Sequence, residues 1–280
     1  MEDKQNHIHQ LKRTIDESLE RLAHAVDDQG ASDDMKRYLD TLAWFHQYSW
    51  KNCLLIFAQK PEATHVAGFT TWKKFDRCIR SGEKAIRIFA PCPIIDEKDN
   101  GDEVERIFFK TTCVFDIAQT EGKELADFDI PIVETVADEL LNRLEQVAAM
   151  RNIQLEYASL EAGHYGVSRG GAITVAEQYS TGQRAKTLVH ELAHSSLHLS
   201  NQDTSPPETA ELEGEAVAYV VCRHFGLDVE LRASRYITKW GGDGKKIAES
   251  FERISRTARE LIEGVGYAEG MNIQFKLTTG

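Results

Sequence analysis

The stretch TLVHELAHSSLH, Thr187 to His198, sets His190, Glu191 and His194 at the spacing His-Glu-x-x-His. On an α-helix, residues four apart lie one turn above each other on the same face. His190 and His194 can then point imidazole nitrogens at one zinc ion, at ~2.0–2.1 Å each. Glu191 lies about 100° further round the helix, where it reaches a metal-bound water rather than the metal. Zinc lowers the pKa of such a water towards ~7, and a carboxylate can remove its proton. This is the mechanical reason for the His-Glu-x-x-His spacing in metalloproteases. Three fixed positions also arise by chance, and the plain alternative is a solvated helix face or a buried histidine held by a hydrogen bond. The neighbours Leu188, Val189, Leu192, Ala193 and Leu197 favour a buried helix. Buried polar groups need partners, and a zinc ion meets that need.

Zinc in hydrolases usually keeps three protein ligands and one open position. The next helical pattern offers Glu211, Glu213 and Glu215 within five residues. In a dry interior these would repel unless a cation drew in at least one. Glu211 and Glu215 share a face. Glu211 is assigned as the third ligand and Glu215 as acceptor for the N–H of a ligand histidine. The exchange of those two roles stays open. Glu213 points the other way, as expected of a solvated face.

These residues must be positioned by elements that the hydrophobic periodicity outlines. A helix is predicted over 7–28, from Leu11, Ile15, Leu19, Leu22 and Val26; a second runs from Asp33 or Asp34 to about Phe45. SWKNCLLIFAQK reads as a third, packed inside, and PEATHVAGFTTWKKFD as loop plus a short element. The period then changes. KAIRIFAPCPII and VERIFFKTTCVFDIA read as strands, joined through a polar turn with Asn100-Gly101 into a β-hairpin. TEGKELADFDIP reads as a linker. ETVADELLNRLEQVAAMRN is amphipathic, with Val136, Leu140, Leu144 and Val147 on one side. IQLEYASL and GGAITVAE read as strands. The metal-motif helix follows, with Ser180 or Thr181 as its cap. Pro206-Pro207 are expected to exclude helix. AELEGEAVAYVVCRHFG is the next helix, closed by Gly226, and a last one runs over about 245–263. The fold class is α+β: a small α+β module over 1–122, then a second domain over 123–280.

Composition narrows the function classes. The 280 residues are 41% apolar and 28% charged, which suits a globular protein of one or two domains. No run of about 18 apolar residues exists, so no membrane span is expected. The polar start MEDKQNHIHQLKR lacks the apolar core of a signal peptide, so a cytoplasmic location is expected. Five cysteines form no Cys-x-x-Cys pair, which argues against both a disulfide frame and a thiolate zinc site. The net charge of −12 argues against general adhesion to nucleic acid. Lys36 to Pro93, however, carries ten basic residues against four acidic ones, a local +6 that leaves −18 for the rest. Within it, Lys73, Lys74, Arg77, Arg80, Lys84 and Arg87 cluster near Trp50, Phe69, Trp72 and Phe75. Single strands are held by a positive groove and aromatic platforms. Trp72 is the expected stacking residue; the competing role for each aromatic is core packing, and for each lysine a solvated surface. No helix-turn-helix or zinc finger points to sequence-specific readout.

Two resemblances join these readings. HELAH followed by ELEGEAVAYVV resembles the zincin metallopeptidases of the ImmA/IrrE type, in which a glutamate after the first helix completes the site. The resemblance implies that the strand before the metal helix, here GGAITVAE, is an edge strand to which an extended peptide substrate adds. It also places SRYITKW downstream, with Tyr236 either stabilising an oxyanion near the active site or packing. Independently, YSWKNCLLIFAQKPEATHVAGFTTWKKFDRCIRSGEKAIRIFAPCP, closed by VFDIAQTEG, resembles the N-terminal domain of ArdC-type antirestriction proteins. Those are encoded on plasmids and other mobile elements, and that domain binds single-stranded DNA. The two resemblances cover about 35–240, in the ArdC order. The implied function is a single-stranded-DNA-binding protein with a zinc metallopeptidase domain and an unknown peptide substrate. The alternatives are a regulatory ImmA/IrrE-type protease that cleaves a repressor, and a DNA-binding protein with a non-catalytic zinc site. Two departures stand out: the connection Ser195 to Ala210 is short for the ArdC type, and Gly214 sits inside the ligand helix, at ~1 kcal/mol relative to alanine.

Overall fold

Apolar residues at three- and four-residue steps build the helices, and a two-residue period builds the main hairpin. The computed structural model describes residues 2–24, 29–97, 103–125, 136–197, 205–231 and 243–268. These fall into two compact units. One comprises the described residues of Met1–Ser18 and Lys51–Ala126; the other comprises those of Leu19–Trp50 and Asp127–Phe275. The expected boundary at 122/123 lies near the break at 126/127. Residues 19–50 differ from expectation: they group with the C-terminal unit.

Helix α1 (Glu2–His24) buries Leu11, Ile15, Leu19 and Leu22, as its periodicity requires. Val26, expected to continue that stripe, lies outside the described residues. In the N-terminal unit, α3 (Trp50–Gln59) precedes a short strand β1 (Val66–Ala67), the single-turn helix α4 (Phe69–Lys74) and strand β2 (Arg77–Ile79). Strands β3 (Ile86–Glu97) and β4 (Glu103–Asp116) form the expected antiparallel hairpin, in register from Ile86 opposite Val114 to Glu97 opposite Glu103. Its Asn100-Gly101 turn lies outside the described residues. Ile86, Ile88, Ala90 and Val114 share the buried face. The sheet order is β1-β4-β3, and β5 (Thr120–Gly122) pairs with β2 as a separate ribbon.

In that order β3 has a free edge, and α3 covers it. The Asn52 amide donates from Nδ2 to the Phe89 carbonyl at 2.8 Å and accepts at Oδ1 from the Phe89 N–H at 2.9 Å. Gln59, seven residues on, does the same to Arg87, at 2.9 and 3.0 Å. Each amide imitates one rung of a neighbouring strand, which is how a native edge avoids recruiting another chain.

The C-terminal unit is helical, with one small sheet. Helix α2 (Gln29–Trp44) packs on α7 (Pro207–His224), where Asp40 Oδ1 accepts from the Tyr219 hydroxyl at 2.7 Å and from Arg223 Nε at 3.0 Å. Helix α5 (Val136–Met150) buries Leu140, Leu144 and Val147. Helix α6 (Thr181–Leu197) carries the His-Glu-x-x-His motif and is flanked by α5 and α7. The Gln183 N–H reaches Ser180 Oγ at 3.4 Å, the contact expected of a cap at Ser180. Helix α8 (Gly244–Ala268) closes the unit against α7 and α5.

Two expectations about this unit are corrected. Pro206 and Pro207 do not exclude helix: Pro206 is the N-cap and Pro207 the first residue of α7. Proline has no N–H to lose there, and its fixed φ suits the first turn. The helix does end at Gly226, which takes φ +78°. The strand GGAITVAE is not an edge. As β8 (Ala172–Ala176) it lies between β6 (Gln154–Ala158), which is parallel to it, and β7 (Gly166–Arg169), which is antiparallel. Strand β7 was not foreseen, and it forms the sheet edge on the α6 side.

Candidate metal centre

Helix α6 is buried almost all round, so its polar residues must find partners inside the protein. His190 and His194 lie one turn apart with their Nε2 atoms 3.0 Å from each other. Two nitrogens each ~2.0–2.1 Å from one cation sit about 3 Å apart, so the pair already has ligand spacing. The third donor is Glu211, in the second turn of α7. Its two carboxylate oxygens stand 3.4 Å from His190 Nε2 and 3.4 Å from His194 Nε2. The three ligand atoms lie within 4.8 Å of one another. The donor set expected for the metal, His190, His194 and Glu211, is thus brought together, and Glu211 remains 59% exposed on the open side.

The electrostatics favour a cation. Burial opposes charge on His190, yet Glu211, Glu191 and Glu215 together raise its pKa. Hydrogen bonding to the two histidines holds the Glu211 carboxyl well below the usual carboxylate range. Glu191 is 6% exposed, and burial raises its pKa against the opposing pull of His190 and His194. A carboxyl of that kind can hold a proton at a pH where an ordinary glutamate has lost it.

Two glycines make the packing possible. A β-carbon on Gly214 would stand 3.1 Å from His194 Nε2 and 3.2 Å from His190 Cε1. The glycine in the ligand helix is therefore no accident of composition: it lets α7 press its backbone onto both imidazoles. A β-carbon on Gly166, at the start of β7, would stand 2.6 Å from Thr187 Cγ2 and 3.0 Å from Glu191 Oε1. Gly166 brings the edge strand against the candidate base. Ser168, two residues on, joins Ser195 of α6 through an Oγ–Oγ hydrogen bond of 2.9 Å.

The three α7 glutamates divide their partners. Glu213, expected on a solvated face, is fully buried; this is a correction. It accepts from Ser250 Oγ at 2.6 Å and from Arg253 Nε at 2.9 Å, both on α8. An arginine forty positions away, invisible to local pattern, compensates the charge. Glu215 Oε1 accepts from Lys186 Nζ at 2.6 Å, and its Oε2 lies 3.8 Å from His190 Nδ1. That places Glu215 beside His190 but beyond direct hydrogen-bond range, so the expected bond from the His190 Nδ1–H is not formed. Tyr236, the candidate oxyanion donor, lies outside the described residues.

The residues expected to bind DNA are less uniform. Trp72 is corrected: it is 3% exposed, with its indole N–H donated to the Phe115 carbonyl at 2.9 Å. A ring buried in the core cannot stack on a base. Arg77 is occupied by Thr120 and Lys123, and Arg80 by Glu83 and the Ala118 carbonyl. Arg87 is half-buried beside Gln59. Lys73, Lys74 and Lys84 are exposed. Lys73 Nζ lies 5.0 Å from the Phe69 ring centre, and Phe69, Phe108 and Phe109 all reach the surface. Phe108 and Phe109, expected only as strand residues, join Phe69 among the exposed aromatics of this unit.

Two comparisons place the chain. Residues 5–115 match the family model described as the N-terminal domain of anti-restriction factor ArdC. The chain also has the fold of the antirestriction ArdC protein from the R388 plasmid. Against the metal-free crystal structure the TM-score is 0.53 at 20% identity, covering 79% of this chain and 86% of that one. Against the Mn(II)-bound structure it is 0.53 at 19% identity, covering 81% and 90%. Residues 5–115 thus match an ArdC N-terminal domain, and the chain shares the fold of the R388 protein over about four fifths of its length. The uncharacterised protein pXO2-81 of Bacillus anthracis is 25% identical over an alignment that covers 91% of this chain; the chain spans about half, 52%, of that relative. Among the described residues no helix is long and apolar enough to cross a membrane.

Proposed function

We propose that this chain is an antirestriction protein of a mobile element, with a single-stranded-DNA-binding N-terminal unit and a C-terminal zinc metallopeptidase centre. The observation that carries the reading is the convergence of His190, His194 and Glu211 beside a buried Glu191. The likeness to a protein solved with Mn(II) supports a divalent cation; two imidazoles and one carboxylate suit zinc. A cation held there supplies Lewis acidity at a peptide carbonyl. Glu191 takes a proton from the attacking water and returns it to the leaving amine. An extended peptide lies along the outer edge of β7, which among the described residues pairs with β8 alone, and Gly166 keeps that strand close to Glu191. Cytoplasmic incoming DNA is the target that the N-terminal unit serves.

Elemental analysis tests the centre. Wild type is expected to hold one equivalent of zinc and His194→Ala none, while Glu191→Gln keeps the metal and loses peptide hydrolysis. Wild type without metal would remove the enzymatic reading. For the N-terminal unit, gel shifts with single-stranded DNA across salt concentrations should weaken as salt rises. Changing Lys73 and Lys74 together to alanine should lower the log–log salt slope by about 1.4, since each phosphate contact on a single strand is worth about 0.7. An unchanged slope would move the interface elsewhere.

A further inference from the structure

One buried cation in the C-terminal unit has no part in the chemistry above. Lys186 precedes His190 by one turn, and His190 precedes His194 by another, so the three line one face of α6. Across from them α7 sets Glu215 and Glu211, also one turn apart. The two helices thus meet in adjacent rungs: His190 and His194 with Glu211, and Lys186 with Glu215. Lys186 is buried, as is Glu215, and Nζ stands 2.6 Å from Glu215 Oε1 and 2.8 Å from the Glu230 carbonyl.

The other oxygen of Glu215 lies 3.8 Å from His190 Nδ1. That nitrogen is buried and makes no hydrogen bond. A histidine that gives Nε2 to a cation carries its proton on Nδ1, and this N–H needs an acceptor to fix the tautomer and the ring plane. Glu215 is the carboxylate at hand. A buried carboxylate stays ionised and in one rotamer only when it is paired, and Lys186 is the charge that pairs it.

We propose that Lys186 is a positioning residue of the metal centre: it holds the Glu215 carboxylate 3.8 Å from His190 Nδ1, as the acceptor towards which that N–H turns when a cation takes Nε2. The proposal rests on the metal-centre reading above. It assigns Lys186 no contact with metal or substrate. Its hydrogen bond to the Glu230 carbonyl also ties the same rung to the segment that follows α7.

The test titrates metal-free full-length protein with Zn(II), and separately with Mn(II), against a chromophoric chelator. Circular dichroism of each metal-free variant checks the fold. Lys186→Met is expected to bind about 10–100-fold more weakly than wild type, the loss typical of removing support from a ligand histidine. Glu215→Gln is expected to weaken binding as well. The double variant should lose no more than the worse single one, because the two act as one unit. A salt bridge that only stabilises the fold would lower the stability of the metal-free protein and leave affinity at the wild-type value. That result, or additive losses in the double variant, would overturn the proposal. Where Lys186→Met does not fold, Lys186→Gln, which keeps an N–H donor without the charge, carries the same expectation. Wild type binding one equivalent, with Lys186→Met unchanged, sinks only the role of Lys186; wild type binding none sinks the metal centre with it.

Discussion

Glu213→Ala is expected to lower the unfolding free energy by about 3 kcal/mol, the lower end of the range for breaking a buried ion pair. The Glu213 side chain is fully buried and binds both Ser250 and Arg253 of α8. Its removal takes the carboxylate from the Arg253 guanidinium, which keeps a 3.3 Å bond to Ser250 Oγ, and leaves the Ser250 hydroxyl without its acceptor. The Arg253 side chain is 30% exposed, so part of its solvation can be recovered; hence the lower end. Chemical denaturation of metal-free wild type and variant measures the effect. Pairing the change with Arg253→Met should recover part of the loss, because no unpaired charge is then left behind. A loss under about 0.5 kcal/mol, the size ordinary for an exposed site, would mean that Glu213 is not held as described.

Gly214→Val is expected to weaken divalent-metal binding by roughly 100-fold or more, comparable with the upper range for disturbing a ligand histidine. The β-carbon alone would approach His194 Nε2 to 3.1 Å and His190 Nδ1 to 3.3 Å. The two γ-methyls of valine need still more room and drive the rings off their shared focus. Gly214→Ala should weaken binding less. Helix propensity favours alanine over glycine by ~1 kcal/mol, so the damage falls on the centre and not on α7. Titration with Zn(II) and far-ultraviolet circular dichroism separate the two effects. Full affinity in Gly214→Val would show that the imidazoles do not lean on this backbone.

The candidate metal donors were legible because both ends of their logic are local. His190 and His194 report their own geometry through a four-residue step, and Glu211 follows in the next helical pattern. The long hairpin was legible for the same reason, since its strands alternate and the sequence between them is short and polar. Other features depend on partners far away in sequence. Glu213 looks solvated until Arg253 arrives from forty residues on. Trp72 sits among lysines and reads as a platform, yet the Phe115 carbonyl claims its N–H across 43 residues. Helix α2 belongs with the C-terminal unit through contacts such as Asp40 with Tyr219, 179 residues apart. Strand β7 is four residues of Gly-Val-Ser-Arg, too short for alternation to announce it. Its presence is what turned β8 from an edge into a centre. Lys186 did leave a trace: a lysine one turn before His190, in step with both histidines on a helix that must be buried, is a residue whose charge must be met inside.

The two amides that complete β3 carry a liability. Asn52 and Gln59 satisfy Phe89 and Arg87 by offering a donor and an acceptor at once. Hydrolysis of either to the acid would keep the acceptor and replace the donor with a second oxygen facing a carbonyl. The β3 edge would then lose one of its two amide rungs, with a carbonyl at Phe89 or Arg87 facing an oxygen instead of a donor. Keeping that edge closed thus depends on two side-chain amides remaining amides.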